Sequence, residues 1–223
     1  MRLALFDLDY TLLPIDSDHA WGEFTVALGW CDRQTFGQAN DRYLQQYQAG
    51  TLDIHDYVRF ATAAVRARGN QEVQAARARF MQEVIGPQIR PAARELVQRH
   101  REAGDTLLMV TATNALVTQP IAQAFGIAHL VATELSRDAQ GRLTGEIEGV
   151  PSFRQGKVQR VEQWLQQRGL RWAQLEHSVF YTDSLNDLAL MQRVHEPVAT
   201  NPDAGLRAHA QREGWRILQL FHD

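Results

Sequence analysis

Short runs of apolar residues recur at three places and divide the chain into strand-length and helix-length segments. The runs cover residues 2–7, 107–111 and 178–182. The first run reaches Asp7, and the third is followed directly by Asp183. Near-continuous apolar runs that alternate with helical segments are typical of parallel strands buried on both faces. The pattern therefore predicts an α/β fold with a parallel sheet and helices on both of its faces.

Two segments between these runs carry the start and stop signals of helices. Residues 91–104 open with a proline, which suits the first turn of a helix, and close with a glycine. Residues 156–169 are bracketed by glycines, and their apolar residues recur at helical spacing, which predicts a buried stripe. The stripe consists of Val158, Val161, Trp164 and Leu165. Alternation over residues 143–147, between two further glycines, predicts a small β-hairpin.

A long segment between the first and second apolar runs has a different texture. Residues 15–89 are rich in Gln, Ala and Arg and contain no apolar run of strand length. A crossover between parallel strands needs only a dozen or more residues, so a segment of this length predicts an inserted helical subdomain. We expect residues 1–14 and 90–223 to form the core and residues 15–89 to form the insertion. Five aromatic residues are predicted to form the core of the insertion: Trp21, Phe24, Trp30, Tyr43 and Tyr47.

Composition and charge narrow the range of partners. The 223 residues are 44% hydrophobic and 22% charged, which indicates a folded, water-soluble protein rather than a disordered or coiled-coil chain. A net charge of -3 provides no overall field that would attract nucleic acid or an anionic membrane. The single cysteine, Cys31, excludes an intramolecular disulfide, and the N-terminal apolar run is too short for a signal peptide. We therefore expect a cytoplasmic location, with neither nucleic acid nor membrane as a partner.

Acidic residues follow two of the predicted strands. Asp7 and Asp9 end the first strand, and Asp183 and Asp187 follow the third. Ligands of open α/β sheets gather at the carboxyl ends of the strands. Asp183 could instead be a helix N-cap, but four converging carboxylates would repel each other unless a hard cation lay among them. A set of oxygen ligands without Cys or His favours Mg²⁺ over zinc.

Two further residues are candidates for binding an anion near these carboxylates. Thr111 ends the second predicted strand, where its hydroxyl and the following backbone N–H groups could hold phosphate oxygens, although it could also cap a helix. Lys157 is the only lysine in the chain and lies at the start of a predicted helix, where a cation is unfavourable for the helix dipole. A solvated surface position is the alternative for Lys157. Its location favours a role in neutralising a phosphate.

The four groups of residues occur in the order of the four motifs of a known family. They are residues 7–11, Thr111, Lys157 and residues 183–187, and on them the chain resembles the haloacid dehalogenase superfamily of phosphatases, in the branch close to phosphoserine phosphatase. The resemblance spans essentially the whole chain and includes the hairpin at residues 143–149. It implies a Rossmann-like core, a small helical cap inserted after the first motif, and a Mg²⁺-dependent phosphatase that acts on a small phosphorylated metabolite.

The resemblance also implies a role for each residue of the motifs. Asp7 attacks phosphorus and forms an aspartyl-phosphate, and Asp9 serves as general acid and base. The implied metal ligands are Asp7, the backbone carbonyl of Asp9, Asp183 and, directly or through water, Asp187. The implied phosphate-binding residues are Thr111, Ala112, Lys157 and Asn186.

The candidates for substrate specificity depart from the phosphoserine phosphatase pattern. Asp16 stands where those enzymes carry a glutamate that reads the substrate amine, and Asp18 follows it closely. The arginine that grips the substrate carboxylate aligns with Ala61, although Arg59 lies two residues earlier. An amine-bearing ester without a carboxylate, such as histidinol phosphate, is therefore favoured over phosphoserine. Asp16 and Asp18 could equally form a hinge or a helix N-cap.

Two other functions share the same sequence features. A phosphotransferase or mutase would use the same motifs, and a non-catalytic regulatory protein could keep the fold. The intact set of motif residues favours an enzyme, because a binding module has no need for the acid two residues beyond the nucleophile. Three histidines show no metal-binding spacing and are predicted to be surface or packing residues: His19, His55 and His129.

Overall fold

A computed structural model of the chain describes residues 1–221, so the last two residues of the predicted core segment 90–223 lie outside the described part. Its centre is a six-stranded sheet in the order β3-β2-β1-β6-β7-β8, and every pairing in it is parallel. The strands are β1 (Arg2–Phe6), β2 (Thr106–Asn114), β3 (His129–Thr133), β6 (His177–Thr182), β7 (Glu196–Thr200) and β8 (Arg216–Leu218). The predicted α/β fold is confirmed.

Both faces of the sheet are buried, and this explains why its central strands read as continuous apolar runs. Side chains alternate between the faces along each strand. Ala4 and Phe6 of β1 belong to the hydrophobic cluster on one face, whereas Leu3 and Leu5 belong to the cluster on the other. The first, second and third apolar runs of the sequence form β1, β2 and β6, and these strands are neighbours in the sheet in the order β2-β1-β6.

The helices of the core cover the two faces. They are α7 (Pro91–Glu102), α8 (Ala115–Ala124), α9 (Gln155–Gln166), α10 (Leu188–Met191) and α11 (Ala204–Glu213). The two helices predicted at residues 91–104 and 156–169 are confirmed as α7 and α9. The predicted apolar stripe of α9 packs into one hydrophobic cluster, and α7 and α8 pack into the other. Short 3₁₀ turns lie at Trp172–Gln174 and Leu185–Asp187.

The chain between β1 and β2 is helical throughout its regular elements. These are α1 (Ser17–Ala27), α2 (Arg33–Gln48), α3 (Ile54–Ala61), α4 (Ala63–Arg66), α5 (Asn70–Phe80), a π-helical stretch (Met81–Ile85) and α6 (Gly86–Gln88). Aspartates at the N-caps of α1, α2 and α3 accept backbone N–H groups, which explains where these helices begin. The division of the chain into a core and an inserted domain stays a prediction.

The aromatic residues of this segment separate into two groups. The ring of Trp21 lies 5.9 Å from that of Phe24 and 6.4 Å from that of Trp30, as predicted for a hydrophobic core. Tyr43 and Tyr47 do not join this cluster, and both line a cavity beside the acidic strand ends. Tyr43 still packs against Tyr57 and Phe60 of the same segment, whereas Tyr47 packs beside Phe153 outside it, so the prediction was wrong for Tyr47. Four residues apart on α2, Tyr43 and Tyr47 share one face of the helix, and that face is turned toward the cavity.

The predicted hairpin is present as an antiparallel pair, β4 (Leu135–Arg137) and β5 (Leu143–Ile147). It contacts the helical segment, because Arg59 donates to Glu146 at 3.3 Å and Arg66 donates to the carbonyl of Thr144 at 3.3 Å. No helix within residues 1–221 has the length and hydropathy needed to cross a membrane.

Candidate active site

Asp7 and Asp9 lie at the carboxyl end of β1, in the middle of the sheet. The N–H of Asp7 donates to the carbonyl of Tyr181 at 2.9 Å, which extends the sheet pairing by one residue. The chain then turns at Tyr10, whose φ of 54° is unusual for a residue with a side chain. Both carboxylates are buried, at 3% and 8% exposure. They have different partners, which suits them to different tasks.

Lys157 is the cationic centre of the site. Its ammonium donates to Asp7 Oδ1 at 2.8 Å and to Asp187 Oδ2 at 2.7 Å, and its side chain is 1% exposed. Burial lowers the pKa of Lys157, but the carboxylates of Asp187 and Asp7 outweigh burial, so the pKa lies well above its ordinary value. A solvated surface position is excluded. Lys157 stays charged and can neutralise negative charge next to Asp7.

Three carboxylates surround this single ammonium. Burial raises the pKa of Asp7 to about 7, partly offset by Lys157 and reinforced by Asp187. Burial and then the charges of Asp7 and Asp187 raise the pKa of Asp183 well above its usual range. Because Lys157 contacts Asp7 through Oδ1, the remaining oxygen Oδ2 is left on the side of Asp183. Thr11 Oγ1 lies between them, 3.5 Å from Asp7 Oδ2 and 3.3 Å from Asp183 Oδ1.

This excess of negative charge fits a hard divalent cation. The donor atoms are all oxygens, and the single positive charge of Lys157, which contacts Asp7 and Asp187, cannot balance three carboxylates. A cation beside Asp7 Oδ2 and Asp183 would relieve the remaining repulsion. The structure thus brings together three of the predicted metal ligands: Asp7, Asp183 and Asp187. Asp187 is fixed by Lys157 and by the hydroxyl of Thr182, which donates to it at 2.7 Å.

Asp9 faces the start of the helical insertion rather than Lys157. Its Oδ1 accepts the N–H of Ser17 at 2.7 Å, and its Oδ2 accepts the hydroxyl of Thr113 at 2.9 Å. Burial, followed by the charge of Asp16, raises the pKa of Asp9 to about 7, although both hydrogen bonds lower it. A carboxyl group with such a pKa can give and take a proton near neutral pH, as general acid–base catalysis requires.

The predicted phosphate-binding residues surround the same strand ends. Thr111 is buried at 1% exposure, and its Oγ1 accepts the N–H of Thr113 at 3.2 Å. Thr111 was predicted to end its strand, and this prediction was wrong, because β2 continues to Asn114. The pairing of β2 with β3 nevertheless shifts register after Val110. Ala112 lines the cavity described below. Asn186 lies in the 3₁₀ turn Leu185–Asp187, and its side-chain amide donates to the carbonyl of Tyr47 on α2.

A cavity extends from Asp9 and Thr113 into the helical insertion. Its other lining residues are Asp16, Asp18, His19, Asn40, Tyr43, Leu44, Tyr47, Leu52, Ile54, Tyr57 and Ala112. The lining combines carboxylates with aromatic and aliphatic side chains, and within the described part of the chain it includes neither lysine nor arginine. Such a cavity is complementary to a cationic, partly apolar group.

Asp16 and Asp18 occupy different positions in this cavity. Asp16 caps α1, because its Oδ1 accepts the N–H groups of Asp18 at 3.0 Å and His19 at 2.8 Å. Asp18 accepts the side-chain amide of Asn114 at 3.1 Å. The nearby phenol of Tyr57 partly offsets the effect of burial on the pKa of Asp18. Burial raises the pKa of Asp18 to about 7 and that of Asp16 to about 6. The N-cap alternative thus holds for Asp16, and Asp18 is the carboxylate built into the cavity wall.

Arg59 is not brought to the cavity. It pairs with Asp56 and Glu146 at the surface, and its side chain is 46% exposed. The fold places Glu146 beside it through the hairpin, which no spacing in the sequence reveals.

Further residues of the site lie far in sequence from the carboxylates that they approach. Thr113 and Asn114, which follow Thr111 on β2, donate to Asp9 and Asp18, and Tyr57 on α3 lines the cavity beside Asp18. No local pattern marks Tyr57. His19 was predicted to have no metal-binding context, but its Nε2 lies 2.8 Å from Asp41 Oδ1. Ligand atoms of His19, Asp41 and Glu23 lie within 4.8 Å of one another. His19 and Glu23 are on α1 and Asp41 is on α2, so the three meet only where the two helices pack together.

Comparison with known proteins identifies relatives along nearly the whole chain. The model of the haloacid dehalogenase-like hydrolases matches residues 4–192. A histidinol-phosphatase of Neisseria meningitidis is 40% identical over 219 residues, which are 98% of this chain and 99% of that protein. A phosphoserine phosphatase of Mycobacterium tuberculosis is 30% identical over 217 residues, which are 96% of this chain and 69% of that protein.

Solved structures show the same fold. A protein of unknown function from Bordetella pertussis superimposes with a TM-score of 0.93 at 45% identity, with 99% of each chain covered. A phosphoserine phosphatase, determined as an analogue of its phospho-aspartyl intermediate, superimposes with a TM-score of 0.68 at 18% identity, covering 99% of this chain and 94% of that one. At that identity the second match speaks for the fold alone.

Proposed function

The chain belongs to the haloacid dehalogenase-like hydrolases and is a phosphoric monoester hydrolase, and from this premise we propose that it uses Asp7 as a nucleophile on a small, cationic phosphomonoester. We further propose that residues 15–89 act as a cap over a core formed by residues 1–14 and 90–223. The observation that carries the proposal is the continuity of two regions. The carboxylate–ammonium cluster at Asp7 adjoins an acidic, aromatic cavity through Asp9.

The proposed chemistry has two steps on the same phosphorus atom. A carboxylate oxygen of Asp7 attacks phosphorus, the bond from phosphorus to the ester oxygen breaks, and Asp9 gives its proton to the departing alcohol. Asp9 then takes a proton from water, whose oxygen attacks phosphorus and releases phosphate from Asp7. Lys157 holds Asp7 in place and balances the charge of the phosphoryl group during both steps.

Mg²⁺ is the proposed cofactor. The residues that would hold it are Asp7, the backbone carbonyl of Asp9 and Asp183, with Asp187 close by. When bound, it would stabilise the negative charge of the transferring phosphoryl group.

The cavity favours histidinol phosphate as the substrate. Its amine and imidazole are cationic or hydrogen-bonding groups, and Asp18 with Tyr57 offers a buried acceptor for one of them. The tyrosines and aliphatic residues of the lining suit the imidazole ring. The relative from Neisseria that matches this chain from end to end carries the name histidinol-phosphatase, which supports the assignment.

Phosphoserine is the second candidate, supported by the name of the mycobacterial relative. The cavity disfavours it. A substrate carboxylate would enter a lining that already holds Asp9, Asp16 and Asp18, and Arg59 is engaged at the surface by two acids.

The substrate assignment is tested by comparing esters in matched variants. We expect wild type to show a higher kcat/KM for histidinol phosphate than for phosphoserine or glycerol phosphate, with Mg²⁺ present. Asp18→Asn removes a charge at nearly constant shape, and should lower kcat/KM for histidinol phosphate at least about tenfold while changing glycerol phosphate little. Asp16→Asn is the matched control, because asparagine also caps helices. A preference for phosphoserine, or an equal loss for every ester in Asp18→Asn, contradicts the assignment.

A further inference from the structure

The C-terminal end of α2 is fastened to the core next to the catalytic carboxylates. The side-chain amide of Asn186 donates to the carbonyl of Tyr47 at 3.2 Å, and Arg154 donates to the carbonyl of Gly50. The ring of Tyr47 packs beside that of Phe153, with centroids 6.0 Å apart. Asn186 and Arg154 of the core thus bind the end of α2 and the residues just after it through backbone carbonyls.

These contacts place Tyr47 where α2 meets the turn that follows β6 and carries Asn186 and Asp187. Tyr47 lines the cavity together with Asp9, Ala112 and Thr113. Burial, and after it the charges of Asp7 and Asp187, raise the pKa of Tyr47 well above its usual range. The phenol therefore keeps its proton and is a hydrogen-bond donor in surroundings rich in acceptors.

The other tyrosines of the cavity are placed differently. Tyr43, one turn earlier on α2, packs against Tyr57 and Phe60 with centroid distances of 5.4 and 4.9 Å. Tyr57 lies beside Asp18 in the cavity lining, and burial, followed by the charge of Asp18, raises the pKa of Tyr57 well above its usual range. In the cavity lining, the Tyr57 end thus holds Tyr43 and Asp18, whereas Tyr47 lies where the lining meets Phe153 and Asn186 of the core.

We propose that Tyr47 is a further substrate-contacting residue, whose hydroxyl donates a hydrogen bond to the phosphoryl group held against Asp7. The inference rests on the proposed function and adds a donor supplied by the helical insertion to those supplied by the core. Phosphoryl oxygens carry the charge of the ester and of the transition state, so a donor aimed at them assists every ester, whatever alcohol it carries. A donor at the Tyr57 end assists only esters whose alcohol reaches it.

The test separates these two roles by the choice of leaving group. Tyr47→Phe and Tyr57→Phe each remove one hydroxyl, and both are assayed with histidinol phosphate, glycerol phosphate and p-nitrophenyl phosphate. Tyr47→Phe should lower kcat/KM by about tenfold to hundredfold, by the same factor for all three esters. Tyr57→Phe should lower it for histidinol phosphate alone. Tyr181→Phe is the control for the loss of a phenol hydroxyl, because the hydroxyl of Tyr181 contacts His100 outside the cavity. This variant should retain wild-type kcat.

A binding measurement makes the test independent of turnover. Titration with orthovanadate in the presence of Mg²⁺ should show weaker binding to Tyr47→Phe than to wild type, by a factor of about ten or more. The proposal is overturned if Tyr47→Phe binds orthovanadate as wild type does, or if its loss of activity is confined to one leaving group. Wild type that hydrolyses none of the three esters refutes the proposed function instead, and the orthovanadate titration still decides the role of Tyr47.

Discussion

Replacing Lys157 by methionine tests the electrostatics of the site most sharply. Methionine fills similar space but removes the ammonium that lies 2.8 Å from Asp7 and 2.7 Å from Asp187. All three side chains are at most 5% exposed, so water has little access to screen the two carboxylates that remain. Removing one partner from a buried ion pair typically costs about 3–5 kcal/mol. We expect a loss of this size in the free energy of unfolding at pH 8, a large part of the stability of an ordinary domain.

The loss should depend on pH with a definite sign. The pKa of Asp7 in the folded protein is already about 7, above its unfolded value of 3.8, and it rises further without Lys157. A raised folded-state pKa means that the native state takes up protons as the pH falls. The variant should therefore regain stability between pH 8 and pH 5.

Urea unfolding of wild type and Lys157→Met at pH 8 and pH 5 measures both effects, with EDTA present so that no cation replaces the ammonium. Arg160→Met is the matched control on the same helix. Arg160 pairs with Glu134 at 3.6 Å, where the Glu134 side chain is 44% exposed, and donates to the carbonyl of Ala132 at 3.4 Å, so its loss should cost about 1 kcal/mol. A loss below about 1 kcal/mol for Lys157→Met at pH 8, or one that is the same at both pH values, would show that Lys157 does not balance the charge of the buried carboxylates.

Three further predictions follow from the same carboxylates. Exhaustive chelation should abolish hydrolysis, and Mg²⁺ but not Zn²⁺ should restore it, because the donors around Asp183 are oxygens; full activity after chelation contradicts this. Asp18→Asn should raise the thermal midpoint at pH 8, and the gain should shrink from pH 7 toward pH 4, since the raised pKa of Asp18 makes its ionised form costly; a pH-independent difference argues against it. Thr113→Val should lower kcat about tenfold and shift the alkaline limb of the pH–rate profile to higher pH. In wild type the hydrogen bond from Thr113 lowers the pKa of Asp9, so its loss raises that pKa. An alkaline limb at the wild-type pH would contradict this prediction.

The centre of the sheet is predictable from the sequence, whereas its outer strands are not. Strands β2, β1 and β6 are buried on both faces and therefore read as continuous apolar runs. Strand β7 begins with Glu196 and Pro197, and a proline within a run argues against a strand. Strand β8 has only three residues, none of them fully buried. Neither strand carries the pattern that identifies the central ones.

The site shows the same division between local and long-range information. The convergence of Asp7, Lys157 and Asp187 is predictable, because strand ends and the first turn of a helix meet at one edge of the sheet. The contacts between the helical insertion and the core are not, because they depend on how the two are oriented. Asn186 and Tyr47, which are 139 residues apart, meet only through that orientation.

Chemical trapping of an aspartyl-phosphate can establish whether phosphoryl transfer passes through Asp7. Asp9→Asn should slow release of phosphate from the nucleophile, so the variant is mixed with Mg²⁺ and p-nitrophenyl phosphate, quenched in acid and reduced with borohydride. Reduction converts an aspartyl-phosphate to homoserine, which peptide mass spectrometry locates. We expect homoserine at position 7, dependent on substrate and absent when Asp7→Asn is added. Homoserine at another aspartate, or release of p-nitrophenol by Asp9→Asn with position 7 unmodified throughout the time course, would contradict it.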